Sequence, residues 1–180
     1  ANANKLMGRF LYGLKKKADY AVISLAGGQK DNAITRECIT EFLTDAPEEV
    51  KAYAKELQEQ IREEYTGSDE NITIEVKENG VETAQVLHPT SQEKIVFYLQ
   101  NVPFGIQKMS GTIKGLVESS SNIGILRLDE DELFASSSVR SSVDAACSAI
   151  SDKIEYLTEF LGGDYEVQGA YPAWEYRKDS

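Results

Sequence analysis

The chain has one histidine and two cysteines in 180 residues. A single imidazole excludes a histidine-based zinc site unless acidic groups supply every other ligand. His88 stands just before Pro89 and reads as a helix-entry or loop residue. Cys38 and Cys147 are far apart and have no paired spacing. That excludes a disulfide framework and points to a reducing compartment, with both thiols used as small buried apolar groups. Nothing in their spacing supports a thiol–imidazole pair with His88. Basic residues are scarce too: 19 Lys and Arg stand against 30 Asp and Glu, for a net charge of -11. Nucleic acid and anionic membrane both call for a basic face, so neither is an expected partner. No apolar run approaches the roughly 18 residues of a membrane span. The N-terminal "ANANKLMGRFLYGLKKK" is amphipathic and has no uninterrupted apolar stretch of the signal-peptide kind. The glycine-rich phosphate-binding patterns G-x-x-x-x-G-K-[ST] and G-x-G-x-x-G are missing. The run Asp129-Glu130-Asp131-Glu132 lacks the alternating ligands and central glycine of a calcium loop, and reads as a solvated hairpin tip.

What is present is an ordinary soluble composition, 41% hydrophobic and 27% charged, in a length suited to one domain. Residues 3–17 place Leu6, Phe10, Leu11 and Leu14 at helical spacing. Lys15, Lys16 and Lys17 close that helix, where cations complement its dipole. Residues 20–27 and 33–43 read as strands around the Gly27-Gly28 turn. Asp45 as cap and Pro47 in the first turn predict a helix to about Tyr65. Residues 72–87 read as a hairpin about Asn79-Gly80. Pro89 and Thr90 open another helix, with Glu93 completing a capping box and Pro103 ending it. A long strand is predicted over 115–128 and a second over "LFASSSVRS". A last helix runs from Val143 to Leu161 and stops at Gly162-Gly163. "YEVQGAY" reads as a final short strand. The fold class expected is α+β: an antiparallel sheet with helices packed mainly on one face. The serine runs 119–121 and 136–138 predict a flat surface on adjacent strands, either a site or a plain solvent face.

Two polar positions stand out against apolar surroundings. Asn32 follows the glycine turn, and Arg140 lies in a strand with few other charges. An amide donates to and accepts from a peptide or carboxylate group, and a guanidinium fork holds a carboxylate bidentately. Each also has an ordinary use, turn geometry for Asn32 and a salt bridge for Arg140. Arg36 carries a structural reading only.

Five segments taken in order carry a resemblance. They are "NANKLMGRFL" (2–11), "GGQKDNAITRE" (27–37), "GIQKMSGTIKGLVESSSNIGIL" (105–126), "VRSSVDA" (139–145) and "GAYPAWEYRKDS" (169–180). Together the chain resembles the middle domain of the aminoacyl-histidine (Xaa-His, β-alanyl-histidine) dipeptidases. These are carnosinase-like bacterial metallopeptidases with two co-catalytic zinc ions. The resemblance implies that residues 1–180 are a ferredoxin-like lid and dimerisation domain with extra hairpins. It also implies that the zinc ligands and acid–base glutamate lie in a catalytic domain outside this chain. Ala1 in place of a start methionine, a helix from the first residues and an uncapped end agree with a piece of a longer chain. By resemblance, Arg140 in "RSSVDA" would hold the substrate's terminal carboxylate, and Asn32 in "NAITR" a peptide or carboxylate oxygen. Thr35 stands where the family has proline, so a less rigid turn after Asn32 is expected. "VESSSN" stands where V-E-T-S-L-N is more usual. The implied partners are the catalytic domain, a dipeptide and a second copy, in a cytoplasmic homodimer. The fragment alone is expected to be inactive. A stand-alone dimerising or ligand-sensing module and the lid of a related amidohydrolase or deacetylase are the alternatives.

Overall fold

The computed structural model describes residues 1–29, 33–69, 71–80, 82–109, 117–129 and 132–167. Among the described residues four helices and five strands follow in the order α1 (Ala3–Leu14), β1 (Ala21–Gly27), β2 (Cys38–Leu43), α2 (Pro47–Glu64), α3 (Pro89–Asn101), β3 (Gly105–Met109), β4 (Val117–Asp129), β5 (Glu132–Ser141) and α4 (Asp144–Phe160). All strand pairs are antiparallel. The architecture is the expected α+β one.

β4 organises the sheet. β5 pairs along one of its edges, from Ser119 opposite Ser141 to Asp129 opposite Glu132. The other edge is shared: β3 takes Val117 to Ser121, and β1 takes Leu126 and Arg127. β2 then pairs on β1. Alternation along β4 and β5 puts Ser119, Ser121 and Ile123 on the core face with Ser137, Val139 and Ser141. Residues 120, 122, 138 and 140 fall on the other face.

α3 and α4 cover the core face, where Val22, Leu25, Leu99, Ile123, Leu126, Ile150 and Ile154 are buried together. α3 serves two cores. Its Val96 joins Phe10, Leu11 and Leu14 of α1 and Val50, Leu57 and Ile61 of α2 in a second cluster. Lys5 of α1 is half-buried and donates to the C-terminal carbonyls of α3, Leu99 O at 2.7 Å and Val102 O at 3.1 Å. Burial lowers its pKa below the usual lysine value.

Several predicted details change. Residues 33–37 are not part of β2, which begins at Cys38, because Thr35 turns into a buried polar site instead. The hairpin predicted over 72–87 forms no ladder among the described residues. Ile72, Ile74 and Val76 lie against the α2 cluster, and α2 side chains take the backbone groups. The Ile74 N–H donates to Gln58 Oε1 at 2.8 Å, and Arg62 Nε donates to Ile72 O at 2.6 Å. Alternation here marks a half-buried extended chain, not a strand pair. α2 is capped at Ala46 rather than Asp45, with the Ala46 N–H donating to Thr44 Oγ1. α3 is capped two residues before the expected capping box: His88 is its N-cap, its Nδ1 accepting from the Thr90 N–H at 3.2 Å. Glu93 is then too far along the helix to cap and pairs with Lys15 at 3.0 Å. Residues 165–167 of the predicted last strand pair with no strand among the described residues, and 168–171 lie outside them. Glu130 and Asp131 of the acidic tip lie outside them too.

Candidate functional site

β3 and β1 leave a gap on one edge of β4, at residues 122–125. A buried gap would strand backbone carbonyls at a cost of about 1–3 kcal/mol each. Side chains close it. The Ile123 carbonyl accepts from Asn2 Nδ2 at 2.9 Å, Thr35 Oγ1 at 3.1 Å and Asn4 Nδ2 at 3.3 Å. The Thr35 hydroxyl, with one proton, shares it between Ile123 O and Gly124 O, both at 3.1 Å. Asn2, Asn4 and Thr35 are all buried.

These residues are brought there by α1 and the 27–37 segment. Asn2 is the N-cap of α1, its Oδ1 accepting from the Asn4 and Lys5 N–H groups. The Ala3 N–H, free at the helix start, donates to Thr35 O at 2.8 Å. The paired glycines make the close approach possible. Gly28 has φ +87°, and a Cβ on it would sit 1.8 Å from Gly124 O. A Cβ on Gly27 would sit 2.0 Å from Asn4 Oδ1.

The same anchor reaches the outward face of the β4–β5 hairpin. Asn122 Nδ2 donates to Ala33 O at 2.8 Å, and Asn122 Oδ1 accepts from Asn2 Nδ2 at 2.7 Å. Ser120 pairs with Arg140 and Asn122 with Ser138 in the ladder. Arg140 and Asn122 are therefore diagonal neighbours on one face, with Cα atoms about 7–8 Å apart. Arg140 is exposed, and among the described residues no carboxylate pairs with it. Asn32 lies outside the described residues, but the next carbonyl, Ala33 O, is tied to this face. Arg36 is exposed and lines a shallow concavity of about 460 Å³ with Gly28, Gln29, Thr35 and Glu37.

The serine runs divide by alternation. Ser119 and Ser141 are buried and share a hydrogen bond of 3.0 Å. Ser120 and Ser138 face outward beside Arg140, where small side chains leave the guanidinium uncovered. An uncovered fork on a low polar face can receive a planar anion. Among the described residues no three His, Cys, Asp or Glu side chains converge on a point that a metal could occupy, so these residues do not fit a metal ion. Cys38, opposite Gly27 at the start of β2, is half-buried, and burial pushes its thiol up to about 12.

Sequence reasoning singled out Arg140 but missed Asn2, Asn4, Thr35 and Asn122. Only Asn2 carried a local signal, as a helix cap in "ANANK".

No family model matches the chain. The cytosol non-specific dipeptidase of Escherichia coli (strain K12) is 27% identical over 176 residues, which cover 97% of this chain and 36% of that protein. The crystal structure of aminoacylhistidine dipeptidase from Vibrio alginolyticus superposes with a TM-score of 0.86 at 28% identity. It matches 100% of this chain and 37% of that one. The chain thus spans little more than a third of the relatives that it matches. Along nearly its whole length, in sequence and in fold, it resembles a part of the aminoacyl-histidine dipeptidases.

Proposed function

We propose that the chain is the lid of a zinc-dependent dipeptidase that hydrolyses Xaa-His dipeptides such as β-alanyl-histidine. In this reading residues 1–180 are inserted in a catalytic domain that lies outside the chain. The observation that carries the proposal is the outward face of β4 and β5. It offers Arg140 without a carboxylate partner among the described residues, on the face to which the 27–37 segment is tied.

Arg140 would take the dipeptide's terminal carboxylate through two charge-assisted hydrogen bonds. Asn32 would hold a peptide or carboxylate oxygen. Fixing both ends of a small substrate aligns its scissile bond, which saves orientational entropy at the chemical step. Closing the lid would exclude water and strengthen each of these contacts. The two zinc ions belong to the catalytic domain, where such metals polarise a carbonyl and activate water. A homodimer fits the sheet, since β2 and β5 each have one edge without a strand partner among the described residues. A cytoplasmic setting is supported by the name of the Escherichia coli relative.

The test is to purify the 180-residue chain and assay β-alanyl-histidine hydrolysis with added zinc. No turnover is expected. Hydrolysis at the rate of a whole dipeptidase would refute the reading.

A further inference from the structure

The strip of β4 between β1 and β3 is where this sheet would ordinarily be weakest. Two strands end there, and neither covers residues 122–125. β4 also bulges between Ile123 and Ile125 in its ladder with β5, so the strip is irregular on both edges. Beyond the ladder pairing of Gly27 with Leu126, the part of the 27–37 segment that follows the glycines meets β4 at this strip. It is held there by two direct ties. One is the Thr35 hydroxyl on Ile123 O and Gly124 O. The other is Asn122 Nδ2 on Ala33 O.

The two ties differ in kind. Asn122 is half-buried on the outward face, where water competes for its amide. Thr35 is 3% exposed, and its hydroxyl is both donor to β4 and acceptor from Asn4 Nδ2 at 3.3 Å. Asn4 Nδ2 has two protons and three acceptors at 3.3 Å: Gly27 O, Thr35 Oγ1 and Ile123 O. Its own Oδ1 is buried with no partner. Removing the Thr35 hydroxyl therefore leaves Gly124 O without its side-chain donor and takes one acceptor from Asn4. In a buried network such losses are felt together.

We infer that Thr35 is a positioning residue. Its hydroxyl is the latch that fixes residues 33–37 on β4, and so sets where the segment lies relative to Arg140. The inference rests on the reading of Arg140 as the substrate-binding cation only for its consequence in catalysis. The latch itself is a property of this chain. Thr35 does not touch substrate in this account. It acts through Ala33 and its neighbours.

Amide hydrogen exchange on the 180-residue chain tests the latch. Thr35→Val keeps the shape and removes the hydroxyl; Thr35→Ser keeps the hydroxyl. Thr35→Val should speed exchange of amides in 27–29 and 33–37 by about tenfold, the equivalent of one lost buried hydrogen bond. Amides of β5 and α3 should keep their protection, and Thr35→Ser should restore the slow rates. Unchanged exchange in Thr35→Val, or an equal rise across β5 and α3, overturns the latch. Should Thr35→Val not fold, Asn122→Ala, which cuts the outer tie, must raise exchange in the same segment and not in α3; uniform exchange there also overturns it. In the longer dipeptidase, Thr35→Val should raise KM for the dipeptide about tenfold with a smaller change in kcat, and Thr35→Ser should recover it. If Arg140→Ala leaves that enzyme unaffected, the substrate-binding reading fails while the exchange result still decides the latch.

Discussion

Gly28 offers the sharpest single test of the junction between the 27–37 segment and β4. Its φ of +87° is the left-handed region, and a Cβ there would stand 1.8 Å from Gly124 O. An L side chain in that region costs about 1–2 kcal/mol. The backbone must also move away from a carbonyl that belongs to the sheet, an overpacking cost of about 1–3 kcal/mol. Gly28→Ala should therefore lose about 2–5 kcal/mol, a large share of the roughly 5–15 kcal/mol that holds a domain folded. Gly80 is the control. Its φ is +71°, and a Cβ on it would meet nothing within 4 Å. Gly80→Ala pays only the conformational cost of about 1–2 kcal/mol. In a chain of this size each kcal/mol moves Tm by roughly 2–4 °C. Parallel thermal and urea melts should place Gly28→Ala well below Gly80→Ala. Equal shifts, or a milder effect at Gly28, would refute the claim that the segment's backbone is pressed against β4.

Two further outcomes follow from the chemistry of single groups. Burial holds the Cys38 thiol at about 12 against an ordinary value of 9.0, so between those values the unfolded chain loses a proton that the folded chain keeps. Stability is then complete below pH 9 and falls as pH rises towards 12; urea midpoints from pH 8 to 11 should decline, and less steeply in Cys38→Ser. For α3, His88→Ala removes the cap and should cost about 1 kcal/mol, while Thr90→Ala should stay within about 0.5 kcal/mol. A larger loss at Thr90 would restore the capping box that the structure replaces.

Much of the fold was legible because long periodic segments carry their own signal. The stripes Leu6-Phe10-Leu14 and Val50-Leu57-Ile61 announced α1 and α2, and both lie in the core as read. The alternation in 72–87 misled for a physical reason. A period of two reports one buried face, and the α2 cluster supplies that burial as well as a partner strand would. β3 went unread because its five residues are set by pairing with β4, with little pattern of their own. The site divides in the same way. Arg140 was visible as a lone charge in a serine-rich strand. The anchor was not, because Asn4 meets Ile123 O 119 residues away and Thr35 meets Gly124 O 89 residues away. No local pattern encodes such partners. The threonine in "NAITR" predicted a looser turn, whereas its hydroxyl is what ties that turn to β4.

The central claim is that Arg140 receives a substrate carboxylate. The direct measurement is kcat/KM of the proposed longer dipeptidase and its Arg140→Ala variant, on β-alanyl-histidine and on the same dipeptide with its terminal carboxylate converted to an amide. Losing a charge-assisted pair should cost about 2–4 kcal/mol, roughly 30-fold to several-hundred-fold, on the acid substrate. The amide, already lacking the charge, should be a poor substrate for the parent and lose little more in the variant. An unchanged rate on the acid, or equal losses on both substrates, would contradict the account.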